Sequence, residues 1–329
     1  MNYRVLGKTS LTVSEIGFGT WGMGGGWGPQ RDQEAKQSLR QAIDLGLNFF
    51  DTALLYGNGH SEQLIGQAIG HRRDRVIIAT KIPAKNHPQP LSADISISQA
   101  FPADWIVECT EKSLQHLGVD YLDIQQLHRW MPQWINQMEW YESLQRLKKQ
   151  GKIRAFGVSA NPWDASGPLE LIKSEFIDTV QIHYNIFEQR PAETLLPVAQ
   201  EHGVGVIVRV PFEEGLLTGQ ITPAYRFSQE DWRKDWLTSE RLKEVARRVE
   251  ALKSFLTVDC STLPALALKF CLSHPAVSTV IPGMRTVAHL EANCAVSDGK
   301  LLSDNNLEKL KKHRFLHGWT LPWMQDKLE

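Results

Sequence analysis

The sequence predicts an α/β protein closed as a (β/α)8 TIM barrel, with an N-terminal β-hairpin and extra C-terminal helices. Three observations predict it. Eight short apolar, β-branched runs alternate with longer segments of helical periodicity. The runs are apolar without strict alternation, as in parallel strands covered on both faces. The 329 residues fall in the size range of such a barrel, and no Gly/Ser/Pro linker divides them. Residues 1–329 are therefore expected to form one domain.

The elements follow in order. In residues 1–13, Gly7-Lys8-Thr9-Ser10 separates two short alternating runs, which predicts a hairpin ahead of the barrel, plugging its lower end. Strands are predicted at 15–19, 47–51, 76–81, 122–128, 154–159, 179–183, 204–210 and 277–281. In the helix at 34–45, Ala35, Leu39, Ala42 and Ile43 share one face, and Gly46 is placed to end it. Ser61 is expected to cap a helix running to Ile69, with Gly70 after it. Ile106, Cys109, Leu114 and Leu117 mark a helix over 105–117, and further helices are expected at 140–149, 169–173, 192–202, 242–255 and 263–273. Residues 82–103 and 222–235 read as long loops, which in compact domains are usually functional or disordered.

Gly17-Phe18-Gly19-Thr20-Trp21-Gly22 has the spacing of a dinucleotide-binding turn. That turn needs a helix at its end and an acid about twenty residues on, at a strand end. A glycine-rich loop follows instead, and Asp44 lies within a helical pattern, so a Rossmann reading is rejected. A βα loop lining a pocket, with Trp21 as a wall, accounts for the same residues.

Bulk properties exclude several classes. The net charge of −1 gives no electrostatic footprint for nucleic acid. No apolar run approaches the ~20 residues of a membrane span, and residues 1–17 lack the apolar core of a signal peptide. Cys109, Cys260, Cys271 and Cys294 are scattered without a C-x-x-C pair, which suits structural thiols in a reducing cytoplasm. His313 and His317 have helical ligand spacing but no acid between them, and no metal site is expected.

In a barrel of this kind, chemistry sits at the C-terminal ends of the strands. Asp51 ends the second predicted strand, with Tyr56 in the loop above it. Lys81 ends the third and His128 the fourth; Ser159, Gln181, His183 and Arg209 lie at or near the ends of later ones. A phenol is a poor proton donor at neutral pH, its pKa being about 10. An ammonium beside it stabilises the phenolate, a carboxylate holds the ammonium, and a neutral imidazole orients a carbonyl oxygen. No obvious nucleophile and no acidic pair for glycoside cleavage accompanies them. The set fits carbonyl reduction by a separate hydride source.

With these residues in hand, the chain resembles the aldo-keto reductases over nearly its full length. The matching pieces are GFGTW, NFFDTALLYGNGHSEQLIG, IIATK, LDIQQLHR, KIRAFGVS, VQIHYNIFEQR, GLLTG and VIPGMRTVAHLEAN. The resemblance implies a barrel that binds an extended nicotinamide dinucleotide, usually NADPH, without a Rossmann fold. It implies a tetrad of Asp51, Tyr56, Lys81 and His128, with Tyr56 as general acid in the reduction of aldehydes or ketones. By the same resemblance, Gly19, Thr20 and Asp51 lie around the nicotinamide ribose, and Ser159 and Gln181 bind the carboxamide. Ala160 stands where many members have Asn, with Asn161 one place later. Gly215, Leu216, Thr218 and Gly219 match the pyrophosphate loop. Ile281, Gly283, Arg285, His289 and Asn293 match the adenosine segment, where Arg285 suits a 2′-phosphate.

Arg209 departs from the family, which commonly has an aromatic residue there, stacked on the nicotinamide. A guanidinium can also stack on a ring, and its charge would disfavour the oxidised form. An ion pair with Glu213 or Glu214 is the alternative. Trp21 and Trp130, with Tyr56, His128 and the 82–103 loop, are expected around the substrate, and Trp319 and Trp323 near the tail. The expected partner is a small-molecule carbonyl compound. A second reading is a regulatory or sensor subunit that binds NADPH with little turnover, since the fold also serves as a channel-associated subunit.

Overall fold

The computed structural model describes residues 1–25, 31–85, 94–162, 164 and 166–319. Two short strands, β1 (Tyr3–Val5) and β2 (Thr12–Ser14), pair antiparallel as the hairpin. Eight parallel strands follow: β3 (Phe18–Gly19), β4 (Phe49–Asp51), β5 (Ile77–Ile82), β6 (Leu122–Leu127), β7 (Ile153–Ser159), β8 (Thr179–His183), β9 (Gly205–Arg209) and β10 (Val277–Val280). Each pairs with the next in sequence. Bridges from Ile16 to Val280 and from Gly19 to Gly283 join the two ends of the sheet and close the barrel.

The helices outside are α1 (Asp32–Asp44), α2 (His60–Ile69), α3 (Ile97–Ala100), α4 (Ala103–Leu117), α5 (Glu139–Lys149), α6 (Leu169–Lys173), α7 (Leu195–Glu201), α8 (Arg233–Trp236), α9 (Ser239–Leu252), α10 (Leu263–Leu272), α11 (Val287–Cys294) and α12 (Asp304–Leu310). Their starts are fixed by local chemistry. Thr238, Thr262, Thr286 and Ser303 accept backbone N–H bonds as N-caps of α9, α10, α11 and α12. Gly46, two residues past α1, takes the left-handed φ of 84° expected of a helix stop.

Two apolar clusters divide the core. The larger lies between the sheet and the helices. The smaller fills the barrel: Leu6, Leu11 and Val13 of the hairpin region meet Phe49, Ile77, Ala79, Ile124, Ala155 and Ile207 of the strands. The hairpin therefore plugs the barrel at the starts of the strands, and the Lys8 N–H donates to the Gly203 carbonyl just before β9.

The glycines of the dinucleotide-like motif serve closure instead. A Cβ at Gly19 would lie 2.7 Å from the Ile281 carbonyl oxygen, so only glycine lets β3 approach the β10 end. A similar limit at Gly157 gives a test. A Cβ there would run into the Thr179 carbonyl oxygen of β8, which a backbone ladder cannot yield easily. Gly157→Ala is expected to destabilise the barrel by about 1–3 kcal/mol, read as a lower thermal midpoint; an unchanged midpoint would contradict the packing described.

Several local expectations are corrected. Ser61 does not cap α2; Gly59 holds that position, and buried Ser61 instead donates to Thr20 Oγ1 at 2.6 Å. The 82–103 segment is not all loop: Ser96 and Gln99 form a capping box that starts α3, while residues 86–93 lie outside the described residues. The 222–235 excursion carries the start of α8. The helix expected at 192–202 is a 3-10 turn followed by α7.

Candidate active site

Strand parity aims the functional groups. Alternate residues of a strand face opposite sides. Phe49, Ile77, Ala79, Ile124, Ala155 and Ile207 face the barrel interior. Counting on by twos brings Asp51, Lys81, His128, Ser159 and Arg209 to the same side at the strand ends. In β8, Val180 and Ile182 belong to the outer cluster, so Gln181 and His183 face inward. Apolar patterning lower in the barrel thus sets which polar groups meet at its mouth.

They meet around Lys81, which is fully buried. Its Nζ donates to Asp51 Oδ2 at 2.7 Å, to the Thr52 carbonyl at 2.8 Å and to Tyr56 Oη at 3.2 Å. Burial opposes the ammonium charge, but Asp51 and Tyr56 outweigh it and raise the Lys81 pKa. Burial raises the Asp51 pKa despite Lys81, and Gln181 Nε2 donates to the other carboxylate oxygen at 2.6 Å. The Tyr56 and His128 rings meet edge to face at 5.9 Å. Burial, then the cations Arg129, Lys81 and Arg209, hold the His128 pKa well below its usual value, so the imidazole is neutral at physiological pH. Gly24 positions the phenol's backbone, because a Cβ there would lie 2.7 Å from the Gly57 nitrogen.

A cavity of about 350 Å3 opens above this set. Of the residues expected to bind cofactor or substrate, Gly19, Trp21, Asp51, Tyr56 and His128 line it. So do Ser159, Gln181, Arg209, Gly215, Ile281 and Gly283. Thr20 is buried behind the wall, its hydroxyl donating to the Asp51 carbonyl at 2.9 Å. Leu216, Thr218 and Gly219 continue from Gly215 as a turn, and Arg285, His289 and Asn293 follow β10 into α11. These six residues lie beyond the cavity.

Trp130 is a correction. It is 1% exposed and packs on Trp134 and Trp140, with ring centroids 5.9 and 5.2 Å away. It belongs to the larger core cluster and does not line the cavity. Asn161 donates to the Trp130 carbonyl at 2.8 Å. Arg209 donates to the Ala160 carbonyl at 3.0 Å; among the described residues it makes no ion pair with a glutamate, and its Nε is buried without a partner. Trp319 stacks on His317, and Trp323 lies outside the described residues.

Sequence reasoning missed a second buried cluster. Glu213 accepts from His183 at 2.8 Å, from Asn185 at 2.6 Å and from His317 at 3.1 Å. Burial opposes its charge, but His183 and His317 hold its pKa far below the carboxylate range. The segment carrying it is strained: Val210, Glu213 and Glu214 have φ of 56°, 46° and 53°. Side chains fix that backbone, with Asn185 donating to the Val210 carbonyl at 2.9 Å and Arg233 to the Glu214 carbonyl at 2.8 Å. The partners lie 28 to 104 residues from Glu213, so no local spacing reveals the cluster. Arg129 and Glu214 also line the cavity; the sequence offers Glu214 only as an ion-pair partner for Arg209 and does not single out Arg129.

The donor set suits the nicotinamide end of a dinucleotide. Ser159 and Gln181 sit side by side, Oγ to Oε1 at 3.5 Å, as a hydroxyl–amide pair for a carboxamide. The buried Nε of Arg209 offers a further donor at the cavity.

Known proteins agree with this architecture. The model of the Aldo/keto reductase family matches residues 15–314. The chain is 32% identical to the NADH-specific methylglyoxal reductase of Escherichia coli (strain K12), over 91% of this chain and 96% of the relative. It is 33% identical to a probable voltage-gated potassium channel subunit beta of Arabidopsis thaliana, over 95% and 96% of the two chains. The solved structure of the aldo-keto reductase AKR11C1 from Bacillus halodurans, in its holo form, superimposes with a TM-score of 0.74 at 28% identity, covering 95% and 96% of the two chains. With its closed barrel and its nearly full-length match, the chain belongs to the aldo/keto reductase family of oxidoreductases.

Proposed function

We propose that this protein reduces aldehydes or ketones to alcohols, as a single barrel domain, with NADPH as hydride donor and Tyr56 as general acid. The observation that carries the reading is the triple contact of Lys81 Nζ with Asp51, the Thr52 carbonyl and Tyr56 Oη, at the floor of a cavity that His128 also lines. Reduced nicotinamide, when bound, supplies the hydride that reaches the carbonyl carbon. The chain supplies the rest. Neutral His128 orients the carbonyl oxygen without competing for its proton. As the C=O electron pair moves to oxygen, the Tyr56 hydroxyl gives its proton to that oxygen. Lys81, held by Asp51, stabilises the phenolate, which solvent then reprotonates. Ser159 and Gln181 hold the carboxamide, Gly215 to Gly219 the pyrophosphate, and Arg285, His289 and Asn293 the adenosine end, where Arg285 favours a 2′-phosphate.

The deciding experiment follows cofactor absorbance with NADPH and NADH in parallel, over a panel of carbonyl compounds that includes 4-nitrobenzaldehyde. Turnover, faster with NADPH, is expected. Tight NADPH binding with no turnover across the panel would favour the sensor reading, in keeping with the relative described as a potassium channel subunit. Faster turnover with NADH would overturn the cofactor preference, and the bacterial relative is described as NADH-specific.

Arg209 bears on the redox form bound. Burial lowers its pKa, and Tyr56, Glu214 and Asp51 support its charge. A cation beside the ring repels oxidised nicotinamide. Arg209→Tyr is therefore expected to bring the NADPH and NADP+ affinities about 3- to 10-fold closer, the result of removing roughly 1 kcal/mol of repulsion. Fluorescence titration reads both constants; an unchanged ratio removes the idea.

A further inference from the structure

The C-terminal tail and the turn after β9 meet at one carboxylate. In that turn Val210, Glu213, Glu214 and Gly215 all take left-handed φ. A β-branched residue and two glutamates hold such a shape only where contacts impose it. Val210, Pro211, Phe212, Glu214 and Gly215 line the cavity. Glu213 does not; it is 1% exposed and bonded to His183, Asn185 and His317. We propose that His317 is a positioning residue for a bound nicotinamide dinucleotide: it fastens the tail to Glu213 and so keeps residues 210–215 in their cofactor-holding shape. This rests on the cofactor reading above.

The geometry supports the assignment. His317 Nδ1 accepts from the Trp319 backbone N–H at 3.1 Å, which leaves the ring proton on Nε2, the atom that meets Glu213 Oε1 at 3.1 Å. Glu213 Oε2 takes His183 at 2.8 Å and Asn185 at 2.6 Å, so both carboxylate oxygens are engaged. Bonds to a carboxylate are charge-assisted and stronger than neutral ones. The tail is anchored on both sides of His317. The Phe315 N–H donates to the Phe187 carbonyl at 3.0 Å. Trp319 stacks on the imidazole at 4.6 Å and packs on Trp236 of α8, with Arg241 of α9 over its ring. The tail thus bridges the loops after β8 and β9. Within the turn, the N–H groups of Glu213, Gly215, Leu216 and Leu217 bond back to the Val210, Phe212 and Glu213 carbonyls, so these amides report whether the turn is intact.

The test replaces His317 in two ways. His317→Gln sets an amide Nε2 as many bonds from Cα as the imidazole Nε2 and keeps a donor; His317→Leu removes it. Hydrogen exchange of the cofactor-free protein, read by mass spectrometry, should speed about tenfold or more at residues 213–217 in His317→Leu, as expected for losing a charge-assisted bond. It should stay near the intact rate in His317→Gln and leave the amides of β4 to β6 unchanged. Glu213→Gln, which sets an amide N–H against an imidazole N–H, should loosen the same amides. Fluorescence titration with NADPH and with NADH should show affinity about 3- to 10-fold weaker in His317→Leu, because only the ordered fraction of the turn binds, and largely restored in His317→Gln. Unchanged exchange at 213–217 in His317→Leu overturns the proposal. So does a His317→Gln protein as loose as His317→Leu, or a rise spread evenly over the barrel. Local loosening with unchanged affinity for both dinucleotides overturns the positioning role. If the intact protein binds neither dinucleotide while exchange still depends on residue 317, the cofactor reading fails and the fastening of the turn stands.

Discussion

Tyr56→Phe is expected to lower the turnover number by about 100- to 10,000-fold, the usual contribution of a positioned general acid. The change removes one oxygen. It leaves the ring against His128 and leaves Lys81 bonded to Asp51 and the Thr52 carbonyl, so the cavity keeps its shape. NADPH affinity should stay within about twofold, because Ser159, Gln181 and the Gly215 turn are untouched. Absorbance decay under saturating substrate reads the first quantity and fluorescence titration the second. Turnover within tenfold of the intact protein would mean that another group, or water, delivers the proton. His128 is unsuited to replace it: burial and three cations keep its imidazole neutral.

Lys81→Met should abolish turnover to a similar degree and also destabilise the fold. The side chain is fully buried, and the change leaves the Asp51 carboxylate without its cation. Breaking a buried pair from one side costs about 3–5 kcal/mol. Gln181 still donates to Asp51 and limits the loss. The pH dependence has a definite sign. Burial already raises the Asp51 pKa, and without the ammonium it rises further. A carboxyl whose pKa is higher in the folded than in the unfolded state is destabilising when ionised, and that penalty fades as pH falls through the folded value. The stability deficit should therefore shrink between pH 7.5 and pH 5, as read by thermal midpoints of both proteins. A deficit that grows on acidification, or none at all, would be incompatible with a buried Lys81–Asp51 ion pair.

Much of the site is legible because strand parity is a local property. Phe49 and Asp51 share a face by spacing alone, as do Ala79 and Lys81, so a run of apolar residues ending in one polar group announces a barrel mouth. The loops gave less. Trp130 follows His128 and Arg129 at a strand end and looks like a pocket wall, but it turns into the core against Trp134 and Trp140. Ser61 has the look of a helix cap, yet it is drawn inward by the Thr20 hydroxyl. Gly17 and Gly19 mimic a phosphate loop while serving the seam of the barrel. In each case a short-range pattern was reassigned by a partner far away in the chain.

Periodicity, composition and the polar groups at strand ends determine the barrel, its plug and four converging residues, because a 2.0-residue or 3.6-residue repeat needs no knowledge of distant neighbours. The tertiary structure alone brings His183, Asn185 and His317 onto Glu213, ties the left-handed segment after β9, and brings Arg129 and Arg209 to the lining of one cavity. Those arrangements depend on contacts between elements tens of residues apart, where loop closure and side-chain packing, not sequence spacing, decide which charge meets which.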